Sequence, residues 1–136
     1  MKLILCLDDH DGMRFNGRRQ SRDRAVCADI LEISGKAPLW MHVNSGKLFD
    51  TDCDRIYCYQ DAPDFVPEDV YLFLEFDSAE RYLPMADTMI IYRWNRVYPA
   101  DVIFSKDYLD CPWTLKETFE FSGHSHSKLT REVYVR

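Results

Sequence analysis

The sequence lacks the features that mark membrane-spanning, secreted and repeat proteins. None of its apolar runs approaches the roughly 20 residues that a bilayer crossing needs. The apolar run at the N-terminus is short, leads into acidic residues and has no Ala-x-Ala-like cleavage site, so we expect no signal peptide. There is no internal repeat and no low-complexity tract. We therefore expect one globular domain over residues 1–136, with no membrane as a partner.

The cysteines do not form a disulfide or redox pattern, and the basic residues are too few to give the chain a positive net charge. The five cysteines are odd in number and form no Cys-x-x-Cys pair, which favours reduced thiols and a cytoplasmic location. The 17 lysines and arginines are outnumbered by 23 acidic residues, which gives a net charge of -6. Because nucleic-acid binding usually needs a basic surface, general nucleic-acid binding is not expected.

The sequence has a large apolar content and one strongly basic segment near its start. The hydrophobic fraction of 46% indicates a folded globule. The apolar run from Lys2 to Leu7 stops at Asp8 and predicts a strand that is buried on both faces. The following segment, residues 13–24, carries five arginines and one aspartate in an otherwise acidic chain. It predicts a mobile loop that binds anions, although a solvated loop paired with the protein's own acids is the other interpretation.

The remaining pattern predicts an α/β domain. Ser21 is a suitable N-cap for a helix that has Asp23 in its first turn and ends at Ser34-Gly35. Further strands are predicted at 38–43, 55–59, 70–76 and 88–97, with a short helix from an Asp77–Glu80 capping box to Pro84 and a hairpin of 115–122 with 127–136. The first two strands, joined by the helix, should form a parallel pair. We predict a single domain with a mixed, mostly parallel sheet, flanking helices and a C-terminal antiparallel hairpin.

Several segments resemble dihydrofolate reductase. The match runs through residues 82–92 and 100–104, and it extends to Trp113 and the Ser125-His126 turn near the C-terminus. The N-terminus is also similar, with a buried strand, Gly12-Met13 in the next loop, and a helix with an early acid. The resemblance implies a dihydrofolate-reductase-like fold. It also implies an NADPH-dependent reductase activity in those relatives that keep the active site.

The resemblance suggests where the functional residues lie. Asp23 matches the family's substrate carboxylate, and Tyr92 stands at the position of its hydroxyl partner, so both are candidate catalytic residues. The segment Ser45-Gly46-Lys47 falls at the family's phosphate-binding turn. The candidate cofactor-binding residues are Ser45, Gly46, Lys47, Arg18, Arg19 and Arg22. The alternatives are a helix-dipole acid at Asp23, an ordinary strand aromatic at Tyr92, and a plain turn.

The chain departs from the family at two places that matter for the cofactor. A Gly-Gly pair lets the pyrophosphate approach the backbone after the family's fourth strand, but Leu74-Glu75 stands here, followed by Asp77 and Glu80. These acids put negative charge where the phosphates of the cofactor would lie. Two like charges about 4 Å apart at an effective dielectric near 20 repel by roughly 4 kcal/mol. The family's Pro-Trp lid is replaced by Arg18-Arg19-Gln20. We therefore expect no bound cofactor, with NADPH as the one alternative.

These departures favour a divergent protein that binds an anionic small molecule, or the acidic surface of a partner, through the arginine-rich loop and the adjoining cleft. An active NADPH-dependent reductase with an altered substrate is the alternative. A third possibility, a metal-dependent ribonuclease, comes from a fainter resemblance to short bacterial proteins labelled ribonuclease Z.

Metal chemistry has little support in the sequence. Ribonuclease Z needs a His-x-His-x-Asp-His motif, and the chain offers only His124-Ser125-His126, which a polar hairpin turn explains better. Asp8, Asp9 and Asp11 could hold Mg²⁺, but such sites usually need acids from other strand ends as well. We predict no metal. The sequence leaves the ligand and the oligomeric state open.

Overall fold

The computed structural model describes residues 1–50 and 53–136. The strands are β1 (Lys2–Leu7), β2 (Gly12–Phe15), β3 (Arg18–Arg19), β4 (Leu39–His42), β5 (Ile56–Tyr59), β6 (Tyr71–Phe73), β7 (Thr88–Arg93), β8 (Val102–Ile103), β9 (Thr114–Phe121) and β10 (Leu129–Val135). The helices are α1 (Arg24–Ser34), α2 (Val43–Gly46) and α3 (Ala79–Tyr82), and 3₁₀ turns lie at Leu83–Met85 and Lys106–Leu109. Within the described ranges, no helix has both the length and the apolar character that a membrane crossing requires.

Seven strands form the main sheet, in the order β5-β4-β6-β1-β7-β10-β9. Only β10 runs against the others, and it pairs antiparallel with both β7 and β9. The predicted mixed, mostly parallel sheet with a C-terminal hairpin is therefore confirmed. The predicted pairing of the first strand with the strand after the helix is wrong, because β6 lies between β1 and β4 and pairs parallel with each of them.

Strand β1 lies at the centre of the sheet and is buried on both faces, as predicted. Leu3, Leu5 and Leu7 belong to the core on one face, whereas Ile4 and Cys6 belong to the core on the other. The second face is covered by α1, which contributes the buried Val26 and Ile30. Successive side chains of a strand point to opposite faces of the sheet, so the apolar residues of β1 are buried alternately in the two cores.

Several predicted elements differ from the observed ones at their ends. The strand predicted at 70–76 stops at Phe73, after which the backbone turns so that the carbonyls of Glu75 and Asp77 accept hydrogen bonds from Arg14. The strand predicted to reach Val97 stops at Arg93, two residues before Asn95 adopts a positive φ of 58°. The capping box is not formed, because Ser78 makes no side-chain hydrogen bond to the first turn of α3, and Pro84 lies inside the 3₁₀ turn that follows this helix.

The arginine-rich segment is a β-hairpin rather than the predicted loop. Strands β2 and β3 pair antiparallel, with Phe15 opposite Arg18. Asn16 and Gly17 between them both have positive φ, at 54° and 71°, which is typical of the two-residue turn that Asn-Gly favours. Strand β8 pairs with the other edge of β2, so the hairpin belongs to a small three-stranded sheet. The arginines are therefore presented from a regular scaffold.

Candidate functional site

A cleft of about 540 Å³ opens between the β2–β3 hairpin, α2 and the segment that follows β6. Both α2 and that segment follow the carboxyl ends of parallel strands, the usual place for ligands in such sheets. We call this space the arginine cleft. It is lined by Gly17, Arg18, Arg19, Ser21, Arg22, Asn44, Lys47 and Phe76. Four of these residues are cationic and none is acidic, so the structure brings together the predicted residues Arg18, Arg19, Arg22 and Lys47.

One of the four cations is already neutralised by the protein. Arg19 binds the carboxylate of Glu75 with both Nε and Nη2, at 3.1 Å to each oxygen. Ser45 donates a third hydrogen bond to this carboxylate at 2.7 Å, and Glu75 is only 8% exposed. The Arg19 guanidinium also lies 5.4 Å from the ring of Phe76. This paired geometry holds the hairpin against the end of β6.

The other three cations have no such partner. Arg18, Arg22 and Lys47 are exposed, and their side chains make no hydrogen bond or ion pair within residues 1–50 and 53–136. Arg22 and Lys47 also border a second cavity of about 320 Å³ beside α1, where Arg24 joins them. The two cavities therefore share cationic residues, and an anion in the arginine cleft would meet uncompensated positive charge.

The structure separates the predicted phosphate turn into two parts. Ser45 is fully buried and its hydroxyl serves Glu75. A Cβ atom on Gly46 would lie 2.5 Å from the Sγ of Cys58, so this glycine allows α2 to pack against β5. Neither residue lines the arginine cleft, whereas Lys47 does. The expected Ser45-Gly46-Lys47 phosphate turn stays a prediction, and of its three residues only Lys47 lines the cleft.

Asp23 lies just before α1 as its N-cap, two positions after Ser21, which the sequence predicted as the N-cap. Its carboxylate accepts hydrogen bonds from the backbone N–H groups of Ala25, His124, Ser125 and His126. It also accepts from the Ser125 hydroxyl at 3.1 Å and from the His126 imidazole at 2.9 Å. Burial alone would raise the pKa of Asp23, but these hydrogen bonds lower it from its ordinary value of 3.8. We call Asp23 with residues 124–126 the Asp23 anchor, because it ties the β9–β10 turn to the start of α1.

Tyr92 is paired with Asp29 and not with Asp23, so the predicted contact between the two candidate catalytic residues is not formed. The Tyr92 hydroxyl donates to Asp29 at 2.6 Å, and Arg131 donates two further hydrogen bonds to the same carboxylate. Burial and the Asp29 charge raise the pKa of the Tyr92 hydroxyl. Asp29 lies six residues after Asp23 and faces the sheet from the middle of α1. The sequence does not show which of the two acids faces β7.

Asp8, Asp11 and His126, three of the residues considered for metal binding, have structural partners. Asp8 accepts hydrogen bonds from the backbone of His10, Gly12 and Tyr98 and from the Gln20 amide. Asp11 forms an ion pair with Arg93. His124 is exposed, and His126 is buried in the Asp23 anchor. Among the residues that the structure describes, no group of three or more His, Cys, Asp or Glu side chains could hold a metal ion.

The structure adds residues to the site that sequence reasoning missed. Asn44 and Phe76 line the arginine cleft, and neither position carried a pattern that would have indicated it. Ser21 was expected to cap the helix, but its hydroxyl lies 3.1 Å from the Nε2 atom of His126. The Tyr98 hydroxyl lies 2.9 Å from the same nitrogen. The Ser-His dipeptide near the C-terminus was the one available signal for this network.

Comparison with known proteins gives a clear result only at the level of structure. No protein-family model and no curated protein matches the sequence. Among solved structures, the chain is similar to dihydrofolate reductase from Enterococcus faecalis, determined as a complex with NADP(H) and RAB-propyl. The similarity covers 99% of this chain and 95% of that chain, with a TM-score of 0.67 and 12% sequence identity. The chain therefore has the fold of dihydrofolate reductase.

Proposed function

We propose that this protein is a divergent dihydrofolate-reductase-like protein that binds an anionic small molecule in the arginine cleft and has lost ordinary NADPH binding. One observation supports the binding above all others: Arg18, Arg22 and Lys47 surround a single concavity without partners among the described residues. The volume of about 540 Å³ falls within the range of roughly 300–1,000 Å³ that is usual for small-molecule sites. Phe76 adds an apolar surface beside the cations.

The segment after β6 supports the loss of the NADPH site. Leu74 and Glu75, which occupy the positions of the family's glycine pair, are only 1% and 8% exposed. A pyrophosphate at this point would have to draw Arg19 away from Glu75 and leave a buried carboxylate unpaired. Breaking a buried ion pair in this way costs about 3–5 kcal/mol. The Arg19–Glu75 pair therefore opposes a ligand at the backbone but leaves the outer part of the cleft open.

Two other functions each have one observation in their favour. An active NADPH-dependent reductase with an altered substrate is favoured by the structural neighbour, which was solved with NADP(H). An acidic surface of a partner protein is favoured by Arg18, which is exposed directly after the Asn16-Gly17 turn at the hairpin tip. A concave site suits a small molecule better than the flat surface of a partner protein, and the Arg19–Glu75 pair opposes the cofactor of a reductase. We therefore place both functions behind the first proposal.

Calorimetric titration with inorganic pyrophosphate tests the binding proposal. We expect saturable binding to the wild-type protein, and the Arg18→Gln/Arg22→Gln variant should bind at least about tenfold more weakly, since a charge-assisted hydrogen bond contributes about 1.5–3 kcal/mol. Arg96→Gln is the matched control, because Arg96 is an exposed arginine that does not line the cleft. Equal losses in both variants, or no binding to the wild type, would overturn the proposal.

Thermal unfolding with NADPH tests the loss of the cofactor site. A ligand at 100 times its dissociation constant stabilises a protein by about 2.7 kcal/mol, which a melting curve resolves easily. We expect no comparable shift with NADPH and no NADPH oxidation when dihydrofolate is added. Oxidation above that of a buffer blank would establish the reductase alternative and contradict our proposal.

A further inference from the structure

Ser21, which lines the arginine cleft, begins a hydrogen-bonded series that continues into the protein and that anion binding does not require. The Oγ atom of Ser21 lies 3.1 Å from Nε2 of His126. The Nδ1 atom of the same imidazole lies 2.9 Å from Oδ2 of Asp23. A hydroxyl, an imidazole and a carboxylate in this order and at these distances form the arrangement that activates serine nucleophiles on unrelated folds.

The buried surroundings of His126 determine which of its nitrogens carries the proton. Asp23 stays an ionised carboxylate, because the hydrogen bonds that it accepts outweigh its burial and lower its pKa. A carboxylate can only accept, so Nδ1 donates to it, and in the neutral imidazole the lone pair is then on Nε2, the nitrogen beside Ser21. Trp94 stacks on the imidazole with 4.9 Å between the ring centres. His126 is thus held in the tautomer and the orientation that a general base needs.

Ser21 is placed where a bound ligand would meet it. The residue is half-buried and lines the arginine cleft together with Arg18 and Arg22. A molecule whose anionic group binds these arginines would therefore lie beside the Ser21 hydroxyl. Nearness of a nucleophile to a bound substrate is a large part of enzymatic rate enhancement.

We propose that Ser21 is a nucleophile and His126 its general base, and that the protein hydrolyses a carboxylic ester that carries an anionic group. The preference for an anionic ester rests on the proposed binding function, whereas the activation of Ser21 does not. Asp23 acts through His126 and is a positioning residue.

The reaction needs only water as a second reactant. Ser21 Oγ forms a bond to the carbonyl carbon of the ester while its proton passes to Nε2 of His126. The bond between the carbonyl carbon and the alcohol oxygen then breaks, and the imidazolium gives the proton to the departing alcohol. Water repeats both transfers on the acyl-serine, which releases the carboxylic acid and restores the hydroxyl. The cations that line the cleft and do not hold the anionic group of the ester are available to stabilise the negative oxygen of each tetrahedral intermediate.

Tyr98 offers an internal test of this assignment. Its hydroxyl lies 2.9 Å from Nε2 of His126 and competes with Ser21 for the same lone pair. Tyr98→Phe removes the competitor, so Ser21 should become more reactive, by roughly twofold to fivefold, within the range that general-base contacts supply. A network that only holds the β9–β10 turn in place would give no gain in reactivity.

Two nitrophenyl esters of similar size form the main experiment. One is the neutral 4-nitrophenyl butyrate, and the other is the anionic mono-4-nitrophenyl succinate. We expect the wild-type protein to hydrolyse both and to prefer the succinate, and Ser21→Ala should lower both rates by at least about 100-fold, as loss of a nucleophile does. Ser122→Ala is the matched control, because Ser122 is exposed and lies outside the cleft. Intact-mass and peptide analysis after treatment with diisopropyl fluorophosphate should locate the adduct on Ser21.

The role of Asp23 is tested by separating binding from chemistry. Asp23→Asn, assayed at a temperature where circular dichroism shows it folded, should keep KM within about threefold and lower kcat strongly, since the tautomer rather than the cleft is changed. A purely structural role would leave kcat unchanged in the folded protein. Should this variant not fold, Ser21→Ala and Tyr98→Phe carry the test by themselves.

The outcomes distinguish this inference from the binding proposal. Pyrophosphate binding without a Ser21 adduct, together with equal ester hydrolysis by wild type and Ser21→Ala, would overturn the nucleophile and leave the binding function standing. A Ser21 adduct with no preference for the succinate, and no effect of Arg18→Gln/Arg22→Gln on it, would support the nucleophile and remove the anionic substrate class.

Discussion

The Asp23 anchor and the arginine cleft are neighbours, but within the described residues the charge of the first is paired inside the protein and most charges of the second are not. In the Asp23 anchor, one buried carboxylate receives six hydrogen bonds from Ala25 and residues 124–126. In the arginine cleft, the guanidinium groups of Arg18 and Arg22 make no hydrogen bond or ion pair with any residue that the structure describes. Arg22 and Asp23 are adjacent in the sequence, so the difference arises from the fold and not from local composition.

The difference shows which charges maintain the structure and which are available to a ligand. A buried charge must be matched inside the protein, because leaving it unpaired costs several kcal/mol. An exposed cation carries no such requirement, and it can exchange water for a bound anion. Arg19 lies between these extremes, since it lines the cleft but is held by Glu75. Substitutions in the two parts should therefore separate stability from binding.

The largest effect is expected from Asp23→Ala. This change removes the N-cap of α1 and leaves the donors of the β9–β10 turn without an acceptor, so the free energy of unfolding should fall by about 4 kcal/mol. Urea denaturation measures the change. Ser78→Ala is the control, because Ser78 is an N-cap without a side-chain hydrogen bond and should change stability by less than about 0.5 kcal/mol. A loss below about 1.5 kcal/mol for Asp23→Ala would mean that the anchor is not a major support of the fold.

Acid should weaken the Asp23 anchor in a defined pH range. The pKa of Asp23 is lower in the folded protein than its ordinary value of 3.8, so folding favours the ionised form. The resulting stability is complete above about pH 5 and is lost as the pH falls below 3.8 towards the folded pKa. The difference in unfolding free energy between wild type and Asp23→Ala should therefore shrink on acidification. Denaturation curves between neutral and acid pH measure it, and a constant difference would contradict this account.

An intermediate effect is expected from Glu75→Gln, and its two parts have opposite signs. The buried Arg19–Glu75 pair is lost, which should lower the free energy of unfolding by about 2 kcal/mol. The released Arg19 guanidinium should strengthen pyrophosphate binding by roughly fivefold to tenfold, since one more cation then faces the cleft. Denaturation and calorimetry measure the two parts. Glu68→Gln, an exposed acid outside the cleft, should change neither.

Much of the fold could be predicted from the sequence. The continuous apolar run of β1, the Gly35 at the end of α1 and the alternation in β9 all give local signals of the observed elements. Strand order was harder, because nothing in the sequence shows that β6 inserts between β1 and β4. The Asn16-Gly17 turn is a hairpin signal that the charge of the surrounding arginines obscured.

The sequence predicted which cations line the cleft, but not the hydrogen-bond partners of the site residues. The sequence identified all four cations of the cleft, because a concentration of arginine in an acidic chain is visible without a structure. It could not show that Glu75 would form an ion pair with Arg19, or that Tyr92 would donate a hydrogen bond to Asp29 and not to Asp23. These pairs join residues 56 and 63 positions apart, and such contacts depend on the register of the whole sheet.

A smaller effect is expected from Tyr92→Phe. The variant removes one hydrogen bond to Asp29, which keeps the two from Arg131, so the loss of stability should be about 1 kcal/mol. Tyr57→Phe is the control, because Tyr57 is 53% exposed and should show almost no change. Pyrophosphate binding should be the same in both variants. A change in binding for Tyr92→Phe alone would return Tyr92 to the functional site.

The smallest effect on stability, and the sharpest contrast with Asp23, is expected from Arg22→Gln. The Arg22 side chain is exposed and has no partner in the described part of the chain, so the free energy of unfolding should change by less than about 0.5 kcal/mol. Binding should behave differently, since Arg22 borders both cavities, and the thermal shift produced by pyrophosphate should fall markedly. Thermal unfolding with and without pyrophosphate measures both quantities in one experiment. A large loss of stability here, one residue before Asp23, would mean that the cleft charges belong to the fold as much as those of the anchor do.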